Sequence, residues 1–169
     1  MPRLYLLTIG ERTKKEASTI ISPSVKYPNV QGDNEMAGTR REQKIIKALF
    51  GSLIDAKRKS FPRAGNAVDA PRRPGVYVIY GPAGRPLHVG CTPRANTRQR
   101  LQDHLCNRSS VTTKYLKGRG DRLRREGYTF CCYPIANPRR RVLLEAYAIG
   151  RLCPAHIGHG AGGARLKPK

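Results

Sequence analysis

The stretch GVYVIYGPAGRPLHVGC at residues 75–91 constrains the fold more than any other part of the chain. Val76, Val78 and Tyr80 alternate with Tyr77 and Ile79, and Leu87 and Val89 alternate with His88 and Gly90. That is the period-two pattern of β-strands. Between the runs lies Gly81-Pro82-Ala83-Gly84, where proline fixes one φ and the glycines permit the others, so a turn has a mechanism. Pairing Tyr80 with Arg85 places Tyr77 directly opposite His88 on one face, with Cβ atoms about 5 Å apart. A slip of one residue would separate them to opposite faces. The pair is open to two readings, a half-exposed cross-strand contact or part of a site.

The hairpin sits in a chain with three helical patterns. Ile45, Ile46, Leu49, Leu53 and Ile54 recur at helical spacing within residues 39–59, among Arg40, Arg41, Lys44 and Lys47, which predicts an amphipathic basic helix. Residues 60–74 carry three prolines and read as a linker. A second helix is expected over about Thr97–Cys106, with Asn96 or Thr97 as its cap. Residues 107–126 form a basic segment holding Lys114, Lys117, Arg119, Arg122, Arg124 and Arg125. GYTFCCYPIA (127–136) reads as a third strand and Arg139 to about Leu152 as a third helix. Arg3–Ile9 reads as a short strand. The expected organisation is therefore a basic extension (1–72), a module (73–159) and a basic glycine-rich tail (160–169).

Charge narrows the partner. Of 169 residues, 33 are Lys or Arg and 11 are Asp or Glu, a net charge of +22. So large an excess repels itself unless an anion neutralises it, and nucleic acid is the leading candidate. No segment approaches the roughly 20 apolar residues of a spanning helix, and the N-terminal apolar run is short for a secretory signal. A soluble cytoplasmic protein, held at the nucleoid through DNA, is the expectation. The five cysteines lack framework spacing and fit reduced thiols. Cys153-x-x-His156-x-x-His159 matches no standard zinc spacing.

Three patterns carry chemistry. Tyr77 and His88 share the hairpin. Arg100 and His104, four apart in TRQRLQDHLC, project from one helix face, while Leu101 and Leu105 form a stripe toward the sheet. A guanidinium fork suits a phosphate, and a histidine beside it can bond another phosphate oxygen or move a proton. Glu145 lies in VLLEAYAI, apolar nearly all around, which predicts a largely buried helix. Its carboxylate must reach solvent, pair with a cation such as Arg141 or serve as a hard oxygen ligand for Mg²⁺, and spacing leaves the last two equally open. Phosphodiester hydrolysis needs a base, a cation for developing charge and a metal, and each need has a candidate.

The order of these residues resembles the GIY-YIG nuclease superfamily. GVY (75–77) stands for the first signature and HVG (88–90) for the second; RQRLQDHL (98–105) resembles the arginine helix, and LLEAYAIGRLCPAHI (143–157) the glutamate helix with its following proline. The resemblance covers about residues 73–159. It implies an α/β (α+β) module, a small three-stranded antiparallel sheet flanked by helices, here with the basic extension added. It also implies that Glu145 holds a single Mg²⁺ or Mn²⁺ ion, that Arg100 contacts the phosphate and that Tyr77 helps to activate water. His104 matches a position commonly histidine or tyrosine. His88 replaces the second signature tyrosine, and its imidazole should deprotonate water more readily than a phenol. Where the family often has asparagine after the proline, this chain has Ile157, with His156 and His159 beside it.

The resulting expectation is a metal-dependent DNA endonuclease, closer to the restriction or homing branches than to large repair nucleases. Duplex DNA is its expected partner, Tyr77, His88, Arg100, His104 and Glu145 its site, and a homodimer an open option. Lys114, Lys117, Arg119, Arg122, Arg124 and Arg125, with Arg40, Arg41 and Lys44, are its expected nucleic-acid contacts. The alternative is a catalytically inactive nucleic-acid-binding protein on the same module, which the His88 and Ile157 departures favour.

Overall fold

The computed structural model describes residues 32–92 and 96–158, with side chains from residue 38 onward. The expected strand Arg3–Ile9, the residue His159 and the glycine-rich tail lie outside the described residues. Helix α1 (Gly32–Asp55) leads to strand β1 (Lys59–Ser60), then β2 (Gly75–Tyr80), β3 (Pro86–Cys91), α2 (Thr97–Leu105), β4 (Thr129–Pro134) and α3 (Pro138–Leu152). The strands form one antiparallel sheet in the order β1-β4-β2-β3. The sheet thus has four strands where three were expected: Lys59 and Ser60, read as a helix end and a linker start, pair with Phe130 and Thr129.

Strand β2 is buried along its whole length because β3 and β4 flank it and both faces are covered. Its alternation divides the core in two. Val76, Val78 and Tyr80 pack with Ile46 and Leu53 of α1 and Leu144 and Ala148 of α3. Tyr77 and Ile79 pack on the opposite face with Leu101 and Leu105 of α2, with Val111, Leu116 and Leu123 of the connecting turns, and with Phe130. The segment expected as a linker belongs to this second core. Its Phe61, Val68 and Ala70 are buried, and Phe61 stacks at 4.9 Å from the Phe130 ring. Prolines there break regular structure without freeing the chain from apolar burial.

The hairpin register differs from the expected one. Tyr77 pairs with Gly90, Val78 with Val89 and Ile79 with His88, with an irregularity before Tyr80, which pairs with Pro86. The connection is longer than a tight turn. Gly81 N–H donates to Arg85 O at 2.8 Å around a helical turn, Pro82–Gly84, in which Ala83 and Gly84 take φ of 62° and 71°. Pro86 has no N–H to give the ladder. The resulting displacement along β3 is two residues, so parity survives: Tyr77 and His88 share a face, diagonal rather than opposite, with ring centroids 6.1 Å apart.

Each main helix has a local reason for its start. Asn96 caps α2 by accepting from Gln99 N–H at 2.8 Å, and Asn137 caps α3 by accepting from Arg140 N–H at 3.0 Å, with Pro138 in the first turn. Helix α3 is not buried all around as its composition suggested. Val142 is 59 % exposed, Ala146 and Arg151 also face solvent, and Glu145 is half-buried. After α3, Cys153 turns the chain in the left-handed region, and the segment that follows lies along β3. There Ala155 and His156 donate their N–H groups to Pro86 and Leu87 carbonyls, covering part of the strand's free edge.

Candidate active site

The site lies at the β3 end of the sheet. Tyr77 is central in geometry: its hydroxyl is 2.7 Å from His104 Nε2. His104 Nδ1 is 2.6 Å from Ser109 Oγ, which lies 2.9 Å from Thr112 Oγ1, whose own hydroxyl donates to the Ser109 carbonyl at 3.0 Å. A carbonyl only accepts, so this terminus orients the whole chain. With the Thr112 proton on that carbonyl, the Ser109 hydroxyl donates to Thr112 and accepts from His104 Nδ1–H. His104 Nε2 then carries the lone pair and the Tyr77 hydroxyl donates to it.

Burial keeps this chain neutral. His104 is fully buried and its pKa lies well below the ordinary histidine value, through desolvation first and then the charges of His88 and Arg100. Tyr77 is also fully buried. Its pKa is raised by desolvation, against the lowering influence of Arg100, and the charge of Glu145 raises it further. Arg100 and Glu145, on helices covering opposite faces, therefore both act on this one hydroxyl. They are half-exposed while Tyr77, His88 and His104 are buried, so the site meets solvent on the Arg100–Glu145 side.

His88 contributes a second nitrogen. Its Nδ1 lies 3.3 Å from the His156 carbonyl, which requires Nδ1–H as donor and leaves the Nε2 lone pair free of that bond. The rings of His88 and His104 are 5.5 Å apart. Desolvation lowers the His88 pKa to about 4. His88 is thus a weaker base than a solvated imidazole. Gly90 makes room for the convergence: a Cβ there would lie 2.6 Å from Tyr77 Cζ and 3.2 Å from His88 Nε2.

Glu145 reaches the β3 edge, where Oε1 accepts from the Cys91 backbone N–H at 3.0 Å and Oε2 from the Cys91 thiol at 2.9 Å. The Cys91 pKa is pushed up to about 12 by burial, then by the hydrogen bond to Glu145 and its charge, so the sulfur stays a neutral donor. The expected partner Arg141 gives its Nη1 to the Ile135 and Ala136 carbonyls at 2.9 and 2.7 Å. A carboxylate offers about four lone-pair sites, and two remain on Glu145. Mg²⁺ commonly takes one or two carboxylates and keeps several waters, so the half-exposed Glu145 fits a single hard cation. Among the described residues no group of three or more His, Cys, Asp or Glu side chains is placed to hold a metal. Glu145 would therefore be its main protein ligand.

The chain is similar in fold to a GIY-YIG endonuclease domain. The solved structure is the GIY-YIG N-terminal endonuclease domain of UvrC from Thermotoga maritima bound to magnesium, its catalytic divalent cation, at 24% identity and a TM-score of 0.39, covering 52% of this chain and 85% of that one. Two point mutants of that domain, each bound to the catalytic divalent cation, match at the same identity and TM-score and cover 84% of their chains. No family model matches the chain, and no curated protein matches it.

The other expected residues fall in different places. Of the two roles open to His104, bonding a phosphate oxygen or moving a proton, the geometry suits the second, since both of its nitrogens are engaged behind Tyr77. Lys114, Lys117, Arg119 and Arg125 are exposed on the turns after α2, as are Arg40, Arg41 and Lys44 on α1. Arg122 is half-buried. Arg124 is partly buried, and its Nη1 donates to the Pro62 and Arg63 carbonyls and anchors that segment. Sequence reading missed Cys91, Ser109 and Thr112. Only their positions, directly after HVG and after the histidine helix, offered a signal. No helix among the described residues is long and apolar enough to cross a membrane.

Proposed function

We propose that the protein is a metal-dependent endonuclease that hydrolyses phosphodiester bonds in DNA, with Tyr77, His88, Arg100, His104 and Glu145 as its site. The observation that carries this reading is the 2.7 Å Tyr77–His104 bond, with Arg100 and Glu145 both acting on the same hydroxyl. A water oxygen attacks phosphorus and passes its proton to the Tyr77 oxygen as the Tyr77 proton moves to His104 Nε2. The P–O bond to the leaving oxygen breaks, that oxygen departs with the bonding pair and takes a proton from solvent, and the proton on His104 returns to solvent through Tyr77. His88 Nε2 accepts a hydrogen bond from the attacking water and orients it. The Arg100 fork meets the charge developing on the phosphate oxygens. When bound at Glu145, a single Mg²⁺ or Mn²⁺ supplies Lewis-acid polarisation of the phosphate. The net charge of +22 supports DNA as the partner, through exposed Lys114, Lys117, Arg119 and Arg125 and through Arg40, Arg41 and Lys44.

One observation favours a second reading, a nucleic-acid-binding protein without catalysis: Tyr77 is fully buried and His88 is a weak base. A plasmid assay decides between them. Metal-dependent nicking by the wild type that stops with EDTA and with Glu145→Ala, while binding persists, supports the nuclease. Equal binding with no cutting in either protein overturns it.

A further inference from the structure

Beside the site lies a second group of rings that the proposed hydrolysis does not use. Among the described residues, three large hydrophobic side chains are exposed, and two of them, Tyr115 (47 %) and Ile157 (58 %), adjoin His156. The Tyr115 and His156 rings stand 6.2 Å apart at 50°. His156 is held on three sides: its Nε2 lies 3.2 Å from Ser110 Oγ, its N–H donates to Leu87 O, and its carbonyl accepts from His88 Nδ1. Its ring is 5.4 Å from that of His88, so the exposed rings continue directly from the buried ones.

Tyr115 ends the helical turn Val111–Tyr115, whose Val111 and Thr112 are buried, as is Leu116 after it. The backbone is fixed by core packing while the phenol is left in solvent, between exposed Lys114 and Lys117. An exposed ring on a rigid base, in a segment that carries exposed lysines before and after it in sequence, matches a nucleotide: the base has a flat face to stack and the backbone carries the opposite charge. A base inside an uninterrupted duplex already has both faces covered, and drawing it out costs more than for a mismatched or unpaired one.

We propose that Tyr115, backed by His156, is a stacking platform for an unpaired nucleobase, which makes DNA with an unpaired nucleotide beside the scissile phosphate the preferred substrate class. The substrate assignment rests on the nuclease reading; the platform itself is tested by binding alone.

The chain contains no tryptophan, so Tyr115→Trp places a sole indole at this position. The full-length variant is titrated, in EDTA so that nothing is cut, with a short duplex carrying a central thymidine bulge and with the matching continuous duplex. Stacking predicts strong quenching by the bulged DNA and little by the continuous one. In parallel, Tyr115→Ala, checked for native circular dichroism, should reduce the bulged-to-continuous affinity ratio by about tenfold. Equal quenching by both DNAs, no quenching, or an unchanged ratio in Tyr115→Ala overturns the proposal. A protein that quenches as predicted but never cuts plasmid would keep the platform and lose the nuclease.

Discussion

Adding one methyl group at Gly90 should disable the site without removing any of its polar atoms. The new Cβ would stand 2.6 Å from Tyr77 Cζ, and nearer still to the hydroxyl, where ordinary carbon contacts are about 3.5–4.0 Å. Tyr77 is fully buried on the central strand, so the ring has to move about 1 Å through packed surroundings. The Tyr77–His104 bond is 2.7 Å long, and a displacement of that size takes it past hydrogen-bond range. Overpacking costs roughly 1–3 kcal/mol and an orphaned buried nitrogen a further 1–3 kcal/mol. A misplacement of about 1 Å at reacting groups can reduce a rate about 100-fold. Gly90 does not occupy the left-handed region, so alanine suits its backbone and the effect isolates the contact. Urea unfolding and plasmid cleavage of Gly90→Ala measure both consequences. A variant with the wild-type unfolding midpoint and a cleavage rate within twofold would refute the claimed convergence on Tyr77.

Two further outcomes are expected. Burial lowers the His88 pKa from 6.5 to about 4, so as pH falls the unfolded chain takes up the proton first. Stability is therefore full above about pH 6.5 and declines toward pH 4, by about 3 kcal/mol from this group, with His104 adding in the same direction. Urea midpoints across that range should fall, and His88→Asn should flatten the fall; an equal slope in the variant would count against it. DNA affinity should decrease linearly in log–log form with salt, and replacing Lys114 and Lys117 with alanine should reduce the slope by about two. An unchanged slope would remove these lysines from the phosphate contacts.

How far the chain discloses its structure depends on the range of the interaction concerned. Period-two alternation places Tyr77 and His88 on one face, and the two-residue displacement leaves that result intact. The pairing itself escapes pattern reading because Ala83 adopts a left-handed conformation and Pro86 interrupts the ladder. Helical spacing aligns Arg100 with His104, yet the burial of His104 depends on Ser109 and Thr112 arriving from an aperiodic turn. Glu145 illustrates the same limit. The helix offers Arg141 as a local partner, whereas tertiary packing brings Cys91 from the strand edge. In residues 60–74 the prolines are conspicuous, while Phe61, Val68 and Ala70, which decide where that segment lies, follow no regular spacing.

The proposed chemistry turns on one oxygen atom, and Tyr77→Phe removes it while leaving the ring in its buried place. Single-turnover cleavage of plasmid DNA in Mg²⁺, by protein that is fully folded at the assay temperature and binds DNA as tightly as the wild type, measures what the hydroxyl contributes. The account predicts a rate lower by about 10²–10⁴, the range expected for loss of a positioned proton acceptor. Cleavage at the wild-type rate would contradict it.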